Sequence, residues 1–184
     1  MNAVFAQSEK FNLERPEDRH RHMPLFWHSE ELSLIRFSSW ENKYSPDNSF
    51  YFRSPYIERF WLGILGPSAT WLLRIVLAEI EQRDAPISFT SAILASRVGL
   101  ADNTSWNSPL SRSIRRLIDF KIAKQSGAGH VSVSKYIPPL SLRQIGVLTA
   151  DEKILHSRYL DRLNNGQNSN DSNLEICNHN FKDI

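Results

Sequence analysis

Four boundaries marked by proline, Ser54-Pro55, Gly66-Pro67, Ala85-Pro86 and Ser108-Pro109, cut the middle of this sequence into short segments. Proline lacks an amide hydrogen and has a fixed φ, so it opens a helix readily but interrupts one from within. After Ser54, a good N-cap, Ile57, Phe60, Trp61, Ile64 and Leu65 recur at helical spacing and predict a short buried helix. Beyond Gly66-Pro67, Ala69, Leu72, Leu73, Val76 and Ile80 mark the buried side of a second helix, which Asp84-Ala85-Pro86 ends. Ile87-Ser88-Phe89 is long enough only for a brief strand.

Thr90 then caps a helix ending Leu94-Ala95-Ser96-Arg97-Val98-Gly99-Leu100. Ala95 is small enough for a second helix to cross closely, and Gly99 suits the left-handed backbone of a tight turn. Behind the cap and first-position proline of Ser108-Pro109, Leu110, Ile114, Leu117 and Ile118 line one helical face. Ile122 to Gln125, the turn Ser126-Gly127-Ala128-Gly129, and Val131 and Val133 alternating with Ser132 and Ser134 predict a hairpin. Pro138-Pro139 forbids extension of its last strand.

In this order the elements of residues 53–143, about half the chain, resemble the winged helix-turn-helix domains of bacterial DNA-binding proteins. The runs SPYIERFWLGILGPSATWLLR, SPLSRSIRRLIDFKIAK and YIPPL further resemble a group of uncharacterised actinobacterial winged-helix proteins. The resemblance implies a mainly α fold with a small β-hairpin wing, and duplex DNA as partner, met by the helix 109–121 and the wing 122–135. One departure is residues 101–107, ADNTSWN, which make the turn longer than in a compact helix-turn-helix.

Outside this domain, residues 1–23 are polar without period and are expected to be a mobile tail, and 164–184 (beginning NNGQNSNDSN) a disordered one. Residues 24–52 are rich in Phe, Trp and Tyr, so they are expected to pack on the domain. Around Leu34 to Phe37 their pattern suits a strand, whereas Ser29 to Trp40 also suits a helix. Residues 144–163 hold a helix with capping-box spacing at Thr149 and Glu152 and with Ile154, Leu155, Tyr159 and Leu163 on a common side. That apolar side is where a second copy is expected to bind, forming a homodimer.

The positive charge is concentrated. Between residues 104 and 143, Arg112, Arg115, Arg116, Lys121, Lys124, Lys135 and Arg143 stand against Asp119 alone, a net +6; an overall charge of +2 leaves the rest of the chain at −4. A field confined to one segment suits a polyanion. A step of 100° per residue sets Arg112 opposite the Leu110, Ile114, Leu117 stripe, with Arg115 and Arg116 flanking it. Guanidinium forks can hold a guanine edge or a phosphate with two hydrogen bonds. Ser108 and Ser111 at the helix start, and Lys124, His130 and Lys135 on the wing, are the expected backbone contacts.

Other classes find little support. The apolar run Phe60 to Ile80 approaches the roughly 20 residues of a membrane span, but Gly66-Pro67 and Arg74 interrupt it. No secretory pattern opens the chain, which reads as cytoplasmic. The single cysteine, Cys177, allows neither an internal disulfide nor a cysteine-based zinc site. His20 and His22 lack a nearby third ligand, so neither metal nor other cofactor is expected. Gly63 to Thr70 lacks the lysine of a phosphate loop. With no serine, cysteine or carboxylate beside a plausible base, the chain does not read as an enzyme. The rival reading is a winged-helix module that binds proteins without DNA, through the aromatic segment or the C-terminal helix.

Overall fold

The computed structural model describes residues 34–41, 43–101 and 107–165. Among them the chain is mixed α/β, with six α-helices, a four-stranded sheet and a two-stranded one. The fold is therefore not purely α, and its sheet is larger than a hairpin wing. The difference arises at β1 (Leu34–Ser39), the segment with two competing patterns. Ile35 and Phe37 are buried while Leu34 and Arg36 are exposed. That two-residue alternation is met by a strand, since a helix would set Ile35 and Phe37 on nearly opposite sides.

Residues Pro46–Asn48 form a 3-10 turn, and β2 (Phe50–Tyr51) follows. Ser54 caps the next turn through the Tyr56 amide, 3.3 Å away. The expected helix forms as a π-helical turn, Ile57–Trp61, running into α1 (Leu62–Leu65). This wider turn brings two adjacent pairs, Tyr56/Ile57 and Phe60/Trp61, into the core. α2 (Pro67–Arg83) starts after Gly66, whose φ of 79° reverses the chain, and it buries the stripe expected of it together with Thr70 and Leu77. Then come β3 (Ile87–Thr90), α3 (Ser91–Val98), α4 (Pro109–Asp119), the hairpin β4 (Ala123–Gly127) and β5 (His130–Val133), β6 (Tyr136–Ile137), α5 (Leu142–Gly146) and α6 (Ala150–Asn164).

The large sheet has the order β3-β1-β5-β4. β1 runs antiparallel to β3 and parallel to β5, so it separates the strand before α3 from the hairpin after α4. Its inward side, Ile35, Phe37, Ile87, Phe89, Ala123, Val131 and Val133, is buried in one cluster with α2, α3 and α4. β6 pairs with β2 and ends at Pro138.

α6 docks through Leu155, His156, Tyr159, Leu160 and Leu163, and its capping box is formed. The side expected to receive a second copy is thus occupied by the chain's own core, and Ile154, assigned to that side, is exposed instead. At its centre the Leu140 amide donates to the Tyr56 hydroxyl, 2.9 Å away, which lies 2.9 Å from His156 Nε2. Tyr56 also stacks on Phe50 with ring centroids 3.6 Å apart. No helix among the described residues is long and apolar enough to cross a membrane.

Candidate nucleic-acid interface

Thr90 and Gly99 bound α3, and Ser108 opens α4. The Thr90 hydroxyl accepts the Ile93 amide at the start of α3. At its end Gly99 is left-handed, with φ 73°, and the Leu100 amide returns to the Ala95 carbonyl at 2.8 Å. Ala95 is buried where α3 approaches its neighbours. α4 packs chiefly on α2 and β4. Its C-terminus is fixed by Lys121, left-handed at φ 60°, and by the Ile122 amide bonding back to the Leu117 carbonyl.

Leu110, Ile114 and Leu117 are buried along α4, and Arg112, Arg116 and Asp119 are exposed on the other side. The three arginines are not equivalent. Arg112 stands in solvent, Arg115 is half-buried, and Arg116 lies along the protein with Nη1 3.7 Å from where a Cβ on Gly66 would be. The Arg116 guanidinium thus lies close to the α1–α2 junction.

Ser108 and Ser111 do not lie on that surface. Ser108 caps α4 by accepting the Ser111 amide at 3.1 Å, and the two hydroxyls are 2.6 Å apart. Their exposures are 2% and 1%. A cap whose first turn packs on the core turns its hydroxyl inward, so neither side chain is placed to meet a phosphate.

The expected wing cations separate. Lys124 is exposed on β4, its ammonium 4.8 Å from the centre of the Trp40 ring. Lys43 lies over the same ring at 5.0 Å. His130 is half-buried at the start of β5, with Nε2 2.9 Å from Ser38 Oγ on β1. Lys135 lies beyond the hairpin, because β5 ends at Val133 and the Lys135 carbonyl accepts the Phe52 amide. Its side chain lines a cleft of about 870 Å³ with Asp47, Glu81 and Tyr136. Lys124 and His130 thus share the outer face of the sheet with Arg36 and Trp40, which sequence reasoning did not single out. Their signal was present in the Leu34 to Phe37 alternation, but it identifies neighbours only once β1 is known to lie against β5.

His20 and His22 lie outside the described residues, and among the described residues no group of three or more His, Cys, Asp or Glu is placed to hold a metal. In comparison with known proteins, the chain matches no family model, no curated protein and no solved structure.

Proposed function

We propose that the chain is a DNA-binding protein of winged-helix type, of the kind that regulates transcription. In this reading α3 and α4 form the helix-turn-helix, α4 enters the major groove, and the β4–β5 hairpin is the wing. The observation that carries it is the outer side of α4, where Arg112 and Arg116 are exposed opposite a buried Leu110, Ile114, Leu117 stripe. The order of elements from the π-helical turn to the hairpin supports it, as does the left-handed Gly99 between the helices. β1, inserted between β3 and the hairpin, widens the sheet, and among the described residues Arg112 and Arg116 stay exposed with it in place.

Selection of bound duplexes from a random-sequence pool tests this reading. The parent is expected to enrich a defined site, and Arg112→Ala to relax one position at a loss of about 1–3 kcal/mol, the worth of one bidentate base contact. No enrichment at any position would remove base readout from the account. Uniform weakening across sequences would make Arg112 a phosphate contact.

A second reading, a protein-binding module, has one observation in its favour. Leu142 and Val147, at the two ends of α5, are 89% and 84% exposed, and Ile154 on α6 is exposed nearby in sequence. Against it, Phe37, Phe50 and Phe52 of the aromatic segment are buried in the chain's own core.

A further inference from the structure

The outer face of the four-stranded sheet has a composition that the α4 reading does not use. Register sets Ser88, Arg36 and His130 in one row across β3, β1 and β5, and Ser38, Ser132 and Lys124 in the next across β1, β5 and β4. Arg36, Ser88, Lys124 and Ser126 are exposed, so among the described residues this face is open. None of the four strands contains a carboxylate; beyond the end of β1 there is Glu41, and beside it Lys43. A hydrogen-bonded chain runs through the face: His130 Nε2 to Ser38 Oγ at 2.9 Å, Ser38 Oγ to Ser132 Oγ at 3.0 Å, and Ser132 Oγ to Ser126 Oγ at 2.6 Å. The exposed Leu34 at one end and Trp40, clamped by Lys43 and Lys124, at the other give it apolar surface.

We infer that this face binds single-stranded DNA, with Arg36 and Lys124 as the phosphate contacts. A surface on which Arg36, Lys43 and Lys124 outnumber Glu41 fits a polyanion, and the occupant follows from shape. The exposed residues of the face lie across the strands of one sheet, and a single strand can lie along it. Strand spacing and rise set Arg36 and Lys124 about 12 Å apart, a distance that a few nucleotides span. DNA is chosen over RNA because the Ser38 and Ser132 hydroxyls are engaged with each other and with His130. Of the four serines on this face only Ser88 lies outside that chain, a sparse set of partners for a 2′-hydroxyl. The inference is independent of α4.

The test uses the full chain and a labelled oligo-dT of roughly 12 nucleotides, read by fluorescence anisotropy at about 50 mM salt. Arg36→Gln with Lys124→Gln is expected to weaken dT binding at least about tenfold and to lower the salt slope by about 1.4, two lost single-strand phosphate contacts. Duplex binding by Arg36→Gln alone should change less than about threefold, since Arg36 lies on β1, outside both α4 and the hairpin. Conversely, Arg112→Ala with Arg116→Ala should leave dT binding intact, whether or not the parent binds duplex. Ser126→Asp, which adds a carboxylate at an exposed position, should weaken dT binding too and serves if the double variant fails to fold. The inference is overturned if the parent does not bind dT, if the folded Arg36/Lys124 variant binds it within about twofold of the parent, or if oligo-U binds more than about tenfold tighter.

Discussion

Gly99 and Ser108 show two different ways in which a single residue was legible. Gly99 was expected to be left-handed from its place after Ala95, and its φ is 73°. Nothing lies within 4 Å of where its Cβ would be, so Gly99→Ala carries only the backbone penalty. It is expected to lower unfolding stability by roughly 1–2 kcal/mol, measured by urea denaturation. Lys121, left-handed at φ 60° with its carbonyl accepting the Tyr44 hydroxyl, gave no such sign, because tertiary contacts and not residue type fix it. Ser108 was legible as a cap but not as a buried one. Since its hydroxyl satisfies the Ser111 amide inside the protein, Ser108→Ala should lower stability by about 0.5–2 kcal/mol. In the folded state it should leave duplex affinity within twofold. A clear loss of affinity with unchanged stability would return Ser108 to the interface.

Among the elements, those with strong local punctuation were readable: α2, α3, α4 and α6 begin at Pro67, after Thr90, at Pro109 and after Thr149, as their prolines and caps indicate. β1 was not, because six residues of short alternation do not choose their partners; those are supplied by β3 and β5, each far along the chain. The destination of α6 was equally hidden. Its apolar side was visible, but whether Phe50 and Tyr56 or a second copy would cover it depends on tertiary packing. That docking carries a pH dependence. The Tyr56 oxygen, which accepts the Leu140 amide, shares a second hydrogen bond with His156 Nε2. Burial holds the His156 pKa below its usual value of 6.5. The folded state therefore binds this proton less readily than the unfolded state. The resulting stability is complete above about pH 6.5 and falls as pH drops below it. The carboxylates with depressed pKa, Glu79 and Glu152, lose their contributions only at lower pH, below their usual 4.5. Thermal unfolding should thus show a nearly constant Tm from pH 8 to about 7 and a decline between about 6.5 and 5. His156→Gln should lower the plateau and flatten that decline. An unchanged slope in the variant would assign the effect elsewhere.

For the whole molecule, the expected sequence of elements from residue 54 to 137 is present, yet the sheet they form is larger than expected because the segment before them supplies its second strand. That addition leaves two exposed cationic surfaces among the described residues, one side of α4 and the outer face of the sheet. Charge counting had joined them into one segment, since Arg112, Arg116 and Lys124 are close in sequence. The central claim is that α4 is the element that meets duplex DNA. It is tested most directly by the affinity of the parent and of Arg112→Ala with Arg116→Ala for the selected duplex, followed across salt from about 50 to 200 mM. Both side chains are exposed, so folding should be unaffected, with stability changes under about 0.5 kcal/mol each. The account predicts salt-dependent binding by the parent and its collapse in the double variant. Duplex binding by the folded double variant equal to that of the parent, or no duplex binding by the parent at about 50 mM salt, would contradict it.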